Sequence, residues 1–253
     1  MSTFDFSGKR VLITGGSGDI GRALCVAFGA RGAQVAFTYF SDHDGKRQTE
    51  LAMEEAGASE PTTIRCNLRD KSAPHEVAEA AIESLGAVDF FFSNAASGVL
   101  RPALELSAKH WNWTMDVNAR AFLALTQALV PTMPSGGRVM ALTSAGALRA
   151  IENYAAVGAS KAAMEALVRH LAVELGPRGI TVNAICPGVV DTKALTHFPN
   201  REQLLEISRV RTPNGRIATP QDVANVALLL ASDLASMIQG QTISVDGGYS
   251  VLA

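Results

Sequence analysis

A phenol and an ammonium group stand seven residues apart in one stretch of this chain, as Tyr154 and Lys161. Seven residues are close to two turns of a helix, so both side chains would lie on one helix face. At a rise of about 1.5 Å per residue, they would be roughly 10.5 Å apart along the axis, against roughly 6 Å for a spacing of four. The residue four before Lys161 is Val157. The pair therefore predicts a hydrogen-bond donor displaced along the helix from a fixed cation.

A glycine-rich turn from Thr14 to Gly21 predicts what this pair acts with. The turn follows a short apolar run and precedes a helical pattern, which is the order of elements that a pyrophosphate site requires. Glycines let backbone N–H groups approach the phosphates, and the N-terminus of the helix supplies positive potential. We therefore predict a dinucleotide cofactor that delivers hydride to a substrate.

The displaced phenol indicates which bond receives the hydride. In a ketone, the oxygen that takes the proton is bonded directly to the carbon that accepts hydride. In a conjugated enoyl thioester, two further carbon–carbon bonds separate that oxygen from the carbon that accepts hydride. A donor that lies further along the helix suits the second geometry. The spacing of Tyr154 and Lys161 therefore favours reduction of a C=C bond over reduction of a C=O bond.

Short apolar runs rich in β-forming residues alternate with longer helical patterns along the chain. Runs that are apolar almost throughout are typical of strands covered on both faces of a parallel sheet. The pattern predicts a single α/β domain over residues 1–253, with a doubly wound, Rossmann-type fold, a seven-stranded, mostly parallel sheet and helices on both faces. An eight-fold barrel would need more strand and helix pairs. The predicted strands are Arg10–Thr14, Gln34–Tyr39, Thr62–Cys66, Val88–Ser93, Arg138–Thr143, Ile180–Ile185 and Gln241–Val245.

Two long helices are predicted near the carboxyl ends of these strands, where ligands bind in open sheets of this kind. One is Trp111–Val130, which Pro131 ends. The other opens with Asn153 as its N-cap and closes before Gly176, and its apolar stripe predicts a core face or a subunit interface.

The composition excludes several classes of partner. The 22 basic and 24 acidic side chains nearly cancel, so there is no electrostatic case for nucleic acid or an anionic membrane. Three cysteines that are far apart in the sequence predict reduced thiols, with neither a disulfide nor a metal site. The first ten residues have no apolar signal region, and no apolar run is long enough to span a bilayer. We expect a cytoplasmic protein that acts on small molecules.

Several motifs together resemble the short-chain dehydrogenase/reductase family over nearly the whole chain. Asp19 departs from that pattern, because most members of the family carry glycine there. An acid that pointed towards a phosphate would be unfavourable, so we expect the Asp19 side chain to face solvent. The matching motifs are Thr14-Gly15 through Gly21, Asn94-Ala95-Ala96, Asn118, Ser144, Lys161 and Pro187-Gly188.

The resemblance implies a nicotinamide cofactor and the residues that hold it. Members that prefer NAD carry an acid at the end of the second strand, where this chain has Tyr39-Phe40-Ser41. NADPH is therefore favoured over NADH, with Ser41, Lys46 or Arg47 near its 2′-phosphate, although Asp42, Asp44 and the lack of a basic side chain at Gly18 count against this. The implied cofactor-binding residues are Gly15, Ser17, Gly18, Asp19, Ile20, Gly21, Tyr39, Ser41, Asn67, Leu68, Asn94, Ala95, Ala96, Lys161, Pro187, Gly188, Val189 and Thr192.

Within the family, the longer spacing from tyrosine to lysine resembles the enoyl-acyl carrier protein reductases, and most closely the bacterial type III enzymes. The segments that carry this similarity are residues 94–102, 110–115, 152–154, 197–201 and 240–243. The resemblance implies NADPH-dependent reduction of an enoyl thioester in fatty-acid synthesis or a related pathway. It also implies a carrier protein or coenzyme A as the acyl carrier, and a homotetramer formed through the two long helices.

The same resemblance implies a catalytic set of Tyr154, Lys161, Ser144 and Asn118. Lys161 would hold the hydroxyls of the nicotinamide ribose, Tyr154 would stabilise the enolate oxygen, and Asn118 would support a water chain to the lysine. Ser144 stands where the family has a substrate-binding hydroxyl and where several enoyl reductases have a second tyrosine. Substrate contacts are expected from Ser97, Ser144, Tyr154, His197 and Phe198, the last two within a substrate lid at residues 191–220.

Two other functions fit the same residues. In a carbonyl reductase of this fold, Tyr154 would protonate a ketone oxygen instead of an enolate oxygen. A catalytically idle nucleotide-binding protein should have lost Tyr154 or Lys161, and this chain has both.

Overall fold

Seven strands form one sheet in the computed structural model, which describes residues 4–198 and 201–252. The strands are β1 (Arg10–Ile13), β2 (Gln34–Tyr39), β3 (Thr62–Arg65), β4 (Phe90–Ser93), β5 (Arg138–Leu142), β6 (Thr181–Pro187) and β7 (Thr242–Val245). Their order across the sheet is β3-β2-β1-β4-β5-β6-β7, and every neighbouring pair is parallel. All seven predicted strands are present, and the doubly wound α/β fold is confirmed.

Helices cover both faces of this sheet. The α-helices are α1 (Asp19–Gly29), α2 (His43–Glu55), α3 (Ala73–Leu85), α4 (Ala108–Met115), α5 (Ala121–Leu129), α6 (Ala155–Leu175), α7 (Arg201–Arg211) and α8 (Pro220–Ala231). One face carries α1 and α8, which pack against each other, and α2 packs beside α1. The other face carries α3, α5 and α6.

The central strands are mostly apolar because they contribute to two cores. In β4, Phe90 and Phe92 pack in the core beneath α1 and α8, whereas Phe91 packs in the core beneath α3, α5 and α6. All four residues of this strand are buried. Since successive side chains of a strand point to opposite faces, a strand between two helix layers has no face in solvent, which favours apolar side chains at most of its positions.

The helix predicted over Trp111–Val130 is interrupted. In its place, α4 and α5 are separated by a π-helical turn at Asp116–Arg120. Asn118 lies in the middle of this turn and is buried. Such π turns are rare and occur mostly as single turns inside α-helices, so a helical apolar pattern predicts an uninterrupted α-helix instead.

The helix that carries Lys161 begins later than predicted. Asn153 is not its N-cap, because α6 starts at Ala155 and Tyr154 is the residue before the first helical turn, with φ −104° and ψ 9°. Asn153 has φ +60° and is the one non-glycine residue of the described chain in the left-handed region. Asparagine tolerates that region better than most residues, which favours a turn here over a cap.

Among the described residues, no helix has both the length and the apolarity needed to cross a membrane. The same part of the chain contains no cluster of side chains suited to a metal ion. All three cysteines are free thiols.

Candidate active site

A cleft of about 550 Å³ opens at the carboxyl ends of the strands, next to the point where the strand order reverses between β1 and β4. Open parallel sheets bind ligands at such a point. Its lining combines the glycine turn, the ends of β2, β3, β4 and β5, the start of α6 and the segment after β6. The predicted residues that line it are Gly15, Ser17, Gly18, Asp19, Ile20, Gly21, Tyr39, Ser41, Asn67, Leu68, Asn94, Ala95, Ala96, Ser97, Ser144, Tyr154, Lys161, Pro187 and Thr192.

The glycine turn closes tightly on itself at the entrance to α1. Gly15 has φ +69°, and a Cβ atom on Gly21 would lie 2.1 Å from the Gly15 carbonyl oxygen. Gly18 occupies the N-cap position of α1, and no described side chain caps the helix there. Backbone N–H groups at this end therefore remain available to an anion, which is the arrangement that the pyrophosphate of a dinucleotide requires.

The end of β4 is fixed to the glycine turn by hydrogen bonds through Thr14. The Thr14 hydroxyl accepts hydrogen bonds from the backbone N–H groups of Asn94, at 3.1 Å, and Ala95, at 3.0 Å. In return, the Asn94 amide donates to the Thr14 carbonyl at 2.9 Å and to the Gly15 carbonyl at 3.1 Å. These bonds hold the two sides of the cleft at one spacing, independent of any ligand.

The end of β2 has cations around it. Arg65 donates from Nε to the Phe40 carbonyl at 3.2 Å, and Lys46 lies over the Tyr39 ring at 5.9 Å while pairing with Glu50. Asp42 caps α2 by accepting from the Gly45 N–H at 2.9 Å. Asp42, one of the two acids that count against a phosphate at this position, is therefore engaged in the helix cap.

The loop of Asn67, Leu68 and Arg69 is held by the π turn. Arg120 donates to the carbonyls of Leu68, at 2.9 Å, and Arg69, at 3.1 Å. The Arg69 guanidinium lies 5.1 Å from the centre of the Trp113 ring, and both side chains line the cleft.

Lys161 is buried in the wall of the cleft. Its Nζ donates to the Leu142 carbonyl at 2.6 Å and lies 3.7 Å from the Met164 sulfur. Burial lowers the pKa of the Lys161 ammonium to about 8, because removal from water disfavours the charged form. A buried ammonium with donors beyond the one carbonyl bond is suited to hold the hydroxyls of a ribose.

Tyr154 is placed by the turn at Asn153. The Arg101 N–H donates to the Asn153 carbonyl at 2.8 Å, which ties this turn to the segment after β4. The Tyr154 ring packs on the backbone of Gly146, where a Cβ atom would lie 2.5 Å from the ring. Gly146 therefore provides the space that the phenol occupies.

The Ser144 hydroxyl is a hydrogen-bonding neighbour of the Tyr154 phenol and also accepts from the Gly146 N–H at 3.2 Å. Burial raises the pKa of the Tyr154 phenol, and the Ser144 hydrogen bond opposes that effect only in part. The Cys186 thiol lies near both Tyr154 and Lys161, and burial raises its pKa to about 11, so it stays neutral and unreactive. The site thus combines a protonated phenol with a cationic lysine.

Asn118 lies outside the lining of the cleft and organises it from behind. Its amide donates to the Ser97 carbonyl at 3.0 Å and to the Ser160 hydroxyl at 2.8 Å, and its oxygen accepts from the Ser97 N–H at 3.0 Å. All three of these hydrogen bonds are to protein groups, and Ser160 belongs to α6, so Asn118 fixes Ser97 and α6 relative to each other.

The segment after β6 crosses the cleft opposite the glycine turn. Thr192 lines the cleft, whereas the predicted cofactor residues Gly188 and Val189 lie outside the lining. The Gly188 N–H donates to the Val245 carbonyl at 3.0 Å, which holds Gly188 against β7. The Phe198 ring lies 6.1 Å from that of Tyr154. The side chain of His197 is outside the described part of the structure, as are residues 199 and 200 of the predicted lid.

Asp19 does not point freely into solvent as expected. Its carboxylate accepts a hydrogen bond from the backbone N–H of Lys193 at 2.7 Å, across 174 residues of sequence. The carboxylate is partly exposed and is also held by the backbone of the segment after β6.

Other residues of the cleft were not predicted from the sequence. Most of them adjoin predicted strand ends and could have been found by extending the same argument by one or two residues. Trp113 and Val117 had no such signal, because they lie in α4 and in the π turn and not at a strand end. The additional residues are Thr38, Phe40, Asp42, Cys66, Arg69, Trp113, Val117, Leu142, Thr143, Lys193 and Ala194.

Comparison with known proteins places this geometry in a family. The family profile described as enoyl-(acyl carrier protein) reductase matches residues 16–250. The chain is 36% identical to 1-cyclohexenylcarbonyl-CoA reductase of Streptomyces collinus, covering 96% of this chain and 87% of that protein. It is 35% identical to 3beta-hydroxysteroid dehydrogenase 1 of Eggerthella lenta, over 98% and 95% of the two chains.

Solved structures agree with this placement. A short-chain alcohol dehydrogenase from Sinorhizobium meliloti superposes with a TM-score of 0.92 at 32% identity, over 99% of this chain and 100% of that one. A short chain dehydrogenase from Burkholderia cenocepacia in complex with NADP superposes with a TM-score of 0.89 at 29% identity, over 97% and 99%. With its cleft, its glycine turn and its lysine in the corresponding order, this chain belongs to the short-chain dehydrogenase/reductase superfamily of oxidoreductases.

Proposed function

We propose that this protein reduces the C=C bond of an enoyl thioester with NADPH. The observation that carries the proposal is the position of Tyr154, which stands seven residues before Lys161 and lines the cleft together with Ser144. Val157 fills the place four residues before Lys161, and it packs against the backbone of Gly98, where a Cβ atom would lie 2.3 Å away. The described cleft therefore has its phenol at the displaced position.

The chain's own groups would then stabilise an enolate. A bound nicotinamide would supply hydride to the β-carbon of the thioester. The Tyr154 hydroxyl would donate a hydrogen bond to the thioester oxygen, where negative charge develops, as a donor of an oxyanion hole does. Ser144 would orient that hydroxyl through the bond between the two groups. The proton that completes the α-carbon would come from solvent through the open side of the cleft.

Lys161 would act on the cofactor side of the reaction. Its ammonium would hold the hydroxyls of the nicotinamide ribose, and its charge would lower the cost of negative charge on the substrate. The bond to the Leu142 carbonyl keeps Nζ at the end of β5, because Leu142 is the last residue of that strand. Thr143 and Ser144 follow it directly. Lys161 would thus orient the cofactor, and Tyr154 would donate the hydrogen bond to the substrate oxygen.

The comparisons support an acyl thioester as substrate without fixing its acyl group or carrier. One relative is named as a reductase of a cyclohexenylcarbonyl-CoA, and the matching family profile is named for an enoyl-(acyl carrier protein) reductase. Two arginines of α7 are cations of the kind that could contact an acidic carrier protein, and both have partners within the chain. Arg201 pairs with Asp191 at 2.6 Å, and Arg209 pairs with Glu206 at 3.7 Å.

A carbonyl reductase is the second candidate, because a relative of nearly equal identity is named as a hydroxysteroid dehydrogenase. The two functions are separated by following NADPH absorbance with a crotonyl thioester and with an acetoacetyl thioester. We expect kcat/KM for the crotonyl compound to be higher by about 100-fold or more. Crotonyl-coenzyme A and crotonyl-acyl carrier protein, run side by side, identify the carrier. Turnover of the acetoacetyl compound alone would exclude the enoyl reductase.

We expect a lower KM for NADPH than for NADH, because Tyr39, Phe40 and Ser41 at the end of β2 carry no acid and the Asp42 carboxylate is engaged in the cap of α2. The exposed Ser41 tests this: Ser41→Asp should reduce the preference by at least about tenfold, since a carboxylate repels the phosphate and accepts from a ribose 2′-hydroxyl. Ser236→Asp, the same change at an exposed position on the opposite edge of the sheet, serves as the control. A wild-type preference for NADH would contradict the assignment.

A further inference from the structure

Lys193, in the segment after β6, makes two contacts across the cleft, one to the glycine turn and one to the start of α2. Its backbone N–H donates to the Asp19 carboxylate at 2.7 Å, and its Nζ lies 3.9 Å from the Asp42 carboxylate. Asp19 is the first residue of α1 and Asp42 is the N-cap of α2. One residue thus ties this segment to the first turns of two helices.

The contacts enclose the part of the cleft that suits a pyrophosphate. Gly15, Ser17 and Gly18 line it on one side, and Thr192, Lys193 and Ala194 line it on the other. A dinucleotide that entered or left would have to pass between these sides. The bond from Lys193 to Asp19 therefore lies in the path by which the dinucleotide would enter and leave, although neither residue belongs to the catalytic set.

The electrostatic effects of its charge do not by themselves explain why residue 19 is an aspartate. A carboxylate in the first turn stabilises a helix, but a negative charge beside a pyrophosphate weakens phosphate binding. The bond to the Lys193 N–H gives the Asp19 side chain a second role, as the oxygen acceptor that joins the first turn of α1 to the segment after β6.

We propose that Asp19 is a positioning residue that retains the cofactor, by holding the segment after β6 across the cleft through the Lys193 N–H. This inference rests on the dinucleotide site of the proposed function and does not depend on which substrate is reduced. When the bond is present, the segment stays in place and the cofactor leaves slowly. When it is absent, the segment moves away more often and the cofactor exchanges faster.

The test uses two substitutions that separate the bond from the charge. Asp19→Ala removes both, whereas Asp19→Asn keeps an oxygen acceptor and removes the charge. In cofactor-free protein, amide hydrogen exchange of the peptide that contains Lys193 should be about tenfold faster in Asp19→Ala and close to wild type in Asp19→Asn. In stopped-flow experiments, NADPH should dissociate about tenfold faster from Asp19→Ala, with rescue in Asp19→Asn.

Matched measurements distinguish this role from a general loss of stability. Glu76→Ala removes an exposed acid from the first turn of α3, outside the cleft, and should change neither exchange at Lys193 nor the dissociation rate. Unaltered exchange and dissociation in Asp19→Ala would overturn the proposal. Failure of wild-type protein to bind NADPH would instead refute the proposed cofactor.

Discussion

Tyr154→Phe is expected to lower kcat with an enoyl thioester by about 10²- to 10³-fold, which is the usual cost of losing one donor of an oxyanion hole. The phenylalanine ring keeps the contact with Gly146, so the fold of the cleft should not change. The dissociation constant for NADPH should stay near the wild-type value, because the phenol is assigned to the substrate and not to the cofactor. Steady-state kinetics and a fluorescence titration with NADPH measure the two quantities separately.

The pH dependence of this effect has a definite sign. Burial raises the pKa of the Tyr154 phenol above its ordinary value of 10.0, so the donor is protonated throughout the neutral range. Its ionisation should therefore produce no loss of activity below that pKa. Tyr249→Phe, which removes the hydroxyl of a ring that lies 5.7 Å from Arg211, is the matched control and should leave kcat unchanged. Wild-type activity in Tyr154→Phe would show that another group is the donor.

The sequence predicted the sheet because the physics of its strands is local. Phe90, Phe91 and Phe92 are apolar because each faces one of two cores, and a continuous apolar run records that fact directly. The glycine turn was equally legible, since the tight approach of Gly21 to the Gly15 carbonyl excludes any side chain. Both features depend on residues that are neighbours in the sequence.

Where the predictions were wrong, contacts distant in sequence decide the structure. An asparagine before a helical pattern favours an N-cap, yet Asn153 takes a left-handed turn that bonds to Arg101 instead. The axial distance between Tyr154 and Lys161 is therefore not that of an uninterrupted helix, although the phenol does line the cleft. The bond from Lys193 to Asp19 joins residues that are remote in the chain, and no periodicity could have revealed it.

Lys161→Met is expected to reduce kcat/KM for NADPH by about 100-fold, through loss of both the ribose contact and the fixed positive charge. Affinity for NADPH, measured by titration, should fall by about tenfold or more, as expected for hydrogen bonds from a charged donor. Methionine fills most of the volume of the lysine stem, so the variant should fold. Lys109→Met, at an exposed lysine of α4, is the control and should alter neither quantity. Wild-type NADPH affinity in Lys161→Met would contradict the assigned ribose contact.

Burial of Lys161 makes activity and stability respond to pH in opposite directions. With a folded-state pKa of about 8 against 10.5 for an ordinary lysine, the unfolded chain binds more protons between these values, so the free energy of unfolding should rise with pH across that window. Activity that needs the ammonium should fall as pH rises through about 8 in a profile of kcat/KM for NADPH, because that parameter reports the free enzyme. Lys161→Met should lose both trends, and at neutral pH it should be at least as stable as wild type, because it removes a buried charge. A variant that kept the alkaline loss of activity would show that a different group titrates, and the lysine would then be structural.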